Sequence, residues 1–152
     1  MPDHCCGALP AVWYKNGEMA SPQEQRIREV LDAYFSSING EQWERLASLF
    51  HPDAQLRAPG TRTLEGGEEV ASYYRAALRP YPVHRDEPTR VLICEATATV
   101  EIHFEGRLAN DKPLSFEAVD VFDFEDGLIH RLSSWYDSHQ VRRDLRQAAE
   151  SS

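Results

Sequence analysis

Basic residues are in short supply in this sequence. Lys and Arg number 16 against 25 Asp and Glu, a formal net charge of -9. That balance argues against nucleic acid or an anionic membrane as the main partner. No apolar run is long enough to span a bilayer. The N-terminus lacks the basic start and continuous apolar core of a signal peptide, so a cytoplasmic location is expected. Cysteine is scarce too: Cys5 and Cys6 are adjacent, and Cys94 stands alone in a strand-like run. No cysteine–histidine spacing matches a zinc site, so the three are read as small residues or free thiols.

What remains is enough for one domain of 152 residues with a core and a cavity. Residues 1–20 carry Pro2, Gly7, Pro10 and Gly17 without helical or strand period, yet hold Leu9, Val12, Trp13 and Tyr14. They read either as an arm packed on the body or on a partner subunit, or as a disordered tail. The domain proper is expected over residues 21–147, with 148–152 as a tail. Ser21, Pro22 and Glu24 form a helix-start pattern, followed at helical spacing by Ile27, Val30, Leu31, Tyr34 and Phe35 until Asn39-Gly40. A second helix is predicted from Glu41 to Phe50, with Trp43, Leu46 and Phe50 on one face. His51-Pro52-Asp53 breaks it, and a short strand runs from Ala54 to Ala58. Gly66-Gly67 opens a third helix whose apolar face carries Val70, Tyr73, Tyr74 and Leu78.

Pro80, Pro82 and Pro88 mark a loop, with His84 and Asp86 expected at the mouth of any pocket. Four strands follow, Val91 to Cys94, Thr97 to Gly106, Leu114 to Phe124 and Leu128 to Tyr136, joined by turns into an antiparallel meander. His139 to Gln147 adds a last helical turn or two. Three helices followed by a curled antiparallel sheet make an α+β cone, the sheet wrapped around the helices and leaving a hollow between them.

One carboxylate interrupts the apolar face of the third strand of that meander. Phe116, Ala118, Asp120, Phe122 and Phe124 share a face by alternation, opposite His130, Leu132, Ser134 and Tyr136 on the next strand. A lone acid on such a face is costly unless something uses it. The alternative places Asp120 outside and Val119 and Val121 in the core, but Glu117 and Asp123 on that second face weigh against it. Burial would raise the pKa of Asp120, and a phenol such as Tyr34 or Tyr74 would offer it a hydrogen bond. An acid and a phenol aimed at one oxygen stabilise a forming enolate or alkoxide.

The sequence resembles the nuclear-transport-factor-2-like superfamily, which includes SnoaL-like polyketide cyclases, ketosteroid isomerases and limonene-type epoxide hydrolases. The resemblance is carried by Ala33-Tyr34-Phe35 through Leu49-Phe50-His51-Pro52-Asp53-Ala54, Leu64-Glu65-Gly66 through Tyr73-Tyr74, and Val119-Asp120-Val121-Phe122 through Trp135-Tyr136-Asp137. Compared with ketosteroid isomerase, Tyr34 falls on the oxyanion-hole tyrosine, Asp120 on the acid that donates the second hydrogen bond, and Tyr74 on the tyrosine supporting the first. Leu132, Ser134 and Tyr136 fall on pocket-wall positions, and Trp43, Ala118 and Phe122 are assigned to the pocket with them. The position of the catalytic base is Ala58, which makes the isomerase's own reaction a poor fit. The limonene-type Asp-Arg-Asp arrangement is also incomplete, with Ala118 at the arginine position and Ser134 near the second aspartate.

The resemblance implies a cyclase or isomerase acting by general acid/base catalysis on a small hydrophobic oxygenated, polyketide-like substrate in biosynthesis, as a homodimer and with no metal or organic cofactor. Asp120 is the expected acid/base, with Tyr34 and Tyr74 beside it and Asp137 and His130 as further candidates. An epoxide hydrolase or dehydratase using the same acid, and a non-catalytic binding or assembly module, are the alternatives. His103 and His51 are read as an exposed and a structural residue.

Overall fold

The computed structural model describes residues 20–150, so the N-terminal arm, with Cys5 and Cys6, lies outside the described residues apart from Ala20. Helix α1 spans Pro22–Asn39 and starts where the sequence signals it. The Ser21 hydroxyl accepts from the Glu24 amide at 3.1 Å, Pro22 needs no donor in the first turn, and Gly40 closes the helix. Glu24 turns its own side chain to Arg28, at 2.6 Å. Ile27, Val30, Leu31, Tyr34, Phe35 and Ile38 form the stripe that α1 buries.

Helix α2 is shorter than its apolar pattern suggests, Trp43–Ser48, because Glu41 takes a positive φ and strand β1 (Phe50–Arg57) has already begun at Phe50. His51, Pro52 and Asp53 are not a helix-ending turn outside the sheet. They are an irregularity within β1, whose parallel pairing with strand β6 (Leu128–Tyr136) jumps from Phe50↔Ile129 to Gln55↔Arg131. A two-residue strand β2 (Leu64–Glu65) leads into helix α3 (Gly66–Leu78).

The remaining strands are β3 (Val83–Cys94), β4 (Thr97–Arg107) and β5 (Pro113–Glu125), and with β6 they form an antiparallel meander. Sheet order is β2-β1-β6-β5-β4-β3. The curved, unclosed sheet and its helices make the expected α+β cone. The proline-rich loop is the main revision: Pro80 and Pro82 lie in a turn as expected, but Val83 to Pro88 form the first half of β3. Pro88 fits because β3 is an edge strand, and the register with β4 shifts between Pro88 and Arg90. Helix α4 (Ser138–Glu150) runs further than the expected last turns, taking in three residues of the supposed tail.

The core lies between the concave face and α1 and α3. Val100, Ile102, Phe104, Phe122, Ile129 and Leu132 come from the sheet, and Leu31, Ile38, Leu46 and Val70 from the helices. Gly67 sets how closely α3 approaches α2, since a Cβ there would lie 2.1 Å from the Ala47 carbonyl oxygen. Backbone cannot swing aside as a side chain can. Gly67→Ala is therefore expected to destabilise the domain by about 1–3 kcal/mol, as overpacking does, read as a lower urea midpoint by circular dichroism.

Candidate active site

The concave face holds a cavity of about 460 Å³. Strand register decides what points into it. Asp86 on β3 lies opposite Phe104 on β4, which lies opposite Phe116 on β5. Ile102, Ala118 and Tyr136 form the next row, and Val100, Asp120 and Ser134 the row after. Directly opposed residues share a face, so one alternation brings two carboxyl groups and an aromatic wall to the same hollow. Helices supply the opposite side, with Tyr34 from α1 and Tyr73 and Tyr74 from α3. Residues Pro59, Gly60 and Thr61 and the α4 residues Val141, Arg142 and Leu145 ring the mouth.

Asp120 points inward and is 3 % exposed. The Tyr34 hydroxyl stands 3.4 Å from Asp120 Oδ2 and 2.6 Å from the Tyr74 hydroxyl. A hydroxyl has one proton to donate, so Tyr34 donates to Asp120 when the acid is ionised and accepts from Tyr74. Asp120 Oδ1 is buried and has no hydrogen-bond partner. It is the atom left for a ligand. Burial raises the Asp120 pKa to about 6, and hydrogen bonding from Ser134 and Tyr34 opposes the rise. Burial likewise lifts both tyrosines well above the ordinary phenol value, with the charge of Asp120 adding to it. Edge-on ring packing at 5.1 Å against Phe35 and against Phe122 holds Tyr34 in place.

The second acid is Asp86. The polar run Val83-His84-Arg85-Asp86-Glu87-Pro88 gives no hydrophobic alternation to read, yet Asp86 is on the inner face of a strand and not in a loop at the mouth. Asn39, at the end of α1, clamps its backbone: the side-chain amide donates to the Asp86 carbonyl at 2.9 Å and its oxygen accepts from the Asp86 N–H at 2.7 Å. The free edge of β3 makes those groups available. Burial, and next the charge of Asp120, push the Asp86 carboxyl up to about 7. The only signal in the sequence was the charged alternation Arg85, Glu87 around it.

Ala118, Ser134 and Tyr136 line the cavity as expected, and four other expected wall residues do not. Trp43 lies in a groove behind α3, with Ser72, Arg75 and Ala76 on the side of the helix that faces away from the cavity. Ala58 lies just past the end of β1, and the mouth begins at Pro59. Phe122 and Leu132 are fully buried beneath the cavity, with Phe122 supporting the Tyr34 ring. His84 packs beside Glu41 at 3.2 Å and does not line the cavity. The alternation on β6 breaks at His130. Asp123↔Arg131 is followed by Phe124↔Ile129, so His130 is the extra residue of a bulge and turns outward toward Glu125 and the His51 ring. Asp137 ends the strand and caps α4, accepting from the His139 and Gln140 amides at 3.0 and 2.9 Å. His103 sits on the outer face between Glu105 and Glu117. Among the described residues, no three His, Cys, Asp or Glu side chains are grouped to hold a metal ion.

Both acids have folded-state pKa values above the ordinary 3.8. The folded state therefore binds more protons than the unfolded chain between that value and neutrality. The resulting stabilisation is full below pH 3.8 and is lost as pH rises through about 6 for Asp120 and about 7 for Asp86. Asp120→Asn is expected to lose the Asp120 share of that slope and to melt higher than the wild type at pH above about 7, measured as Tm across a pH series.

The SnoaL-like domain family matches residues 31–132. No curated protein matches significantly. Solved structures share the fold. A protein from Jannaschia sp. CCS1 named as a SnoaL-like polyketide cyclase is 15% identical, with a TM-score of 0.73 over 83% of this chain and 95% of its own. An LEH-like epoxide hydrolase from M. tuberculosis is 15% identical, with a TM-score of 0.66 over 81% and 91%. A protein from Sinorhizobium meliloti named as a polyketide cyclase is 22% identical, with a TM-score of 0.60 over 73% and 99%. At such identities the likeness is one of fold. With two thirds of its length matched by the family, the chain belongs to the SnoaL-like domain family.

Proposed function

We propose that this protein is a cofactor-independent cyclase or isomerase that acts by acid/base catalysis on a small hydrophobic, oxygenated, polyketide-like substrate. One observation carries the reading: a buried carboxyl with an unpartnered oxygen, next to a tyrosine pair, in an aromatic cavity of about 460 Å³. An apolar substrate fills the Phe104–Phe116 wall, and its carbonyl oxygen sits at the Tyr34–Asp120 junction. Negative charge forming on that oxygen is met by a phenol and a carboxylic acid in a site with little water. A non-catalytic module would have no need to bury a carboxyl group facing open space.

Epoxide opening could use the same acid, but Ala118 offers no arginine two residues before Asp120, and Ser134 offers no carboxylate to activate water. The reading therefore favours proton transfer at carbon and oxygen over hydrolysis. It also includes a cytoplasmic, homodimeric protein. The dimer reading rests on Trp135, an exposed aromatic on the outer sheet face paired with Val119, while Val83 and Leu92, also exposed, lie apart from it at the two ends of edge strand β3. No helix among the described residues is long and apolar enough to cross a membrane.

The chemistry can be tested without the natural substrate. The wild type is expected to accelerate exchange of the α-hydrogens of β-tetralone, a bicyclic enolisable ketone, in deuterium oxide followed by proton NMR. Asp120→Asn should lower kcat/KM roughly 100-fold or more. Undiminished exchange in that variant would show the acid to be idle. For the assembly, sedimentation equilibrium should return a dimer for the wild type and a monomer for Trp135→Glu. An unchanged dimer removes the outer sheet face from the interface.

A further inference from the structure

We propose that Asp86 is a second catalytic group, taking the proton from carbon while Asp120 and Tyr34 hold the oxygen of the same substrate. This inference rests on the reading of the cavity as an acid/base site and adds a base to it. Placement carries it. Asp86 lines the cavity that Asp120 lines, from edge strand β3 where Asp120 comes from β5, in line with the Phe104–Phe116 aromatic row and within reach of the charge of Asp120. The two acids therefore meet a substrate at two different points.

The side chain has no structural duty to explain its position. Its backbone N–H and carbonyl are taken up by Asn39, which holds the residue in register. Its carboxyl group accepts no hydrogen bond and pairs with no cation among the described residues, and the charge of Asp120 acts on it by repulsion. Enclosing an unpaired carboxyl beside another costs stability. The fold tolerates that cost at the one place where a substrate could use it. Asp86 brings a second carboxylate into the cavity, from a strand other than that of Asp120.

The step balances without an oxidant or a cofactor. The reacting form has the proton on Asp120 and Asp86 ionised, the minor one of the two singly protonated forms because Asp86 binds a proton more tightly (about 7 against about 6). In that form Asp86 removes a hydrogen from the carbon next to a substrate carbonyl. The C–H electron pair becomes the C=C bond of the enolate, and the carbonyl oxygen takes the charge, held by Tyr34 and protonated by Asp120. The enol oxygen then returns its proton to Asp120 as the carbonyl re-forms. On one route the enol carbon attacks a second carbonyl carbon of the same molecule, closing a ring whose new alkoxide takes the proton of Asp86. On the other, where a C=C stands next to the acidic carbon, the far end of the dienol takes that proton and the double bond moves. Either route returns both carboxyl groups to their starting protonation states, and exchange of the Asp86 proton with solvent before its return labels the carbon. The substrate class that follows has an enolisable carbonyl, placed between the two carboxyl groups, and an apolar body that lies along the aromatic wall.

The test uses three variants and two probes. In β-tetralone exchange, Asp86→Asn is expected to lower kcat/KM at least ~100-fold. Its affinity for β-naphthol, which mimics the enol but has no acidic C–H to lose, should stay within a few-fold of wild type by fluorescence titration. In Asp86→Ala, added formate should restore exchange in a saturable manner, which a merely structural role would not allow. Exchange by Asp86→Asn at the wild-type rate, with Asp120→Asn inactive, would overturn the role of Asp86 and leave that of Asp120 standing. A wild type that binds β-naphthol but exchanges nothing would overturn both. If Asp86→Asn loses its native circular dichroism spectrum, the Asp86→Ala variant decides, and absence of formate rescue counts against the proposal.

Discussion

A carboxyl group enclosed without a cation is the constraint that the rest of this structure answers to. In an apolar cavity the ionised form of Asp120 is costly, and the fold offsets only part of that cost, through Tyr34 and through Ser134 directly across the β5–β6 ladder. Tyr34 can serve because α1 lays a buried, aromatic stripe on the concave face and because Phe35 and Phe122 leave its ring nowhere else to go. Tyr74, on α3, completes the chain of hydroxyls. The depth of α3 in the cone is in turn set by Gly67 against Ala47. Removing any of these pieces would leave the acid either solvated or unsupported.

The edge of the sheet contributes the other half of the electrostatics. A central strand would have spent the backbone groups of Asp86 on a neighbouring strand. At the edge they are free, and the side chain of Asn39 takes the place of a partner. A helix C-terminus thereby fixes the register of a strand that carries a proline and a bulge. Two acids with raised affinity for protons then face one space, and between them they exchange protons in the range where general acid and base catalysis both operate.

Legibility in the sequence followed hydrophobic contrast. The helix starts, the β4–β6 meander and the inward turn of Asp120 were readable because apolar residues repeat there at clear periods. β3 was not readable, since an edge strand with one solvated face and a proline carries no such repeat. Simple alternation puts His130 on the inner face, but a bulge in β6 shifts the side chains beyond it to the other face. The apolar position of Trp43 on its helix says that it packs, and not on which side of a neighbouring helix.

The sequence alone determined that one acid interrupts an apolar strand face, that two tyrosines sit on buried helix faces, and that the chain folds as an α+β cone of a recognisable kind. Those are local properties, written in spacing within single elements. Only the tertiary structure decided that Tyr34, Tyr74 and Asp120 meet, that Asp137 is spent on capping α4, and that Asp86 joins the cavity. Each of these depends on strand order, on one bulge or on a contact between residues far apart in the chain. The acid that stood out in the sequence as a single interruption is, in the folded protein, one of two.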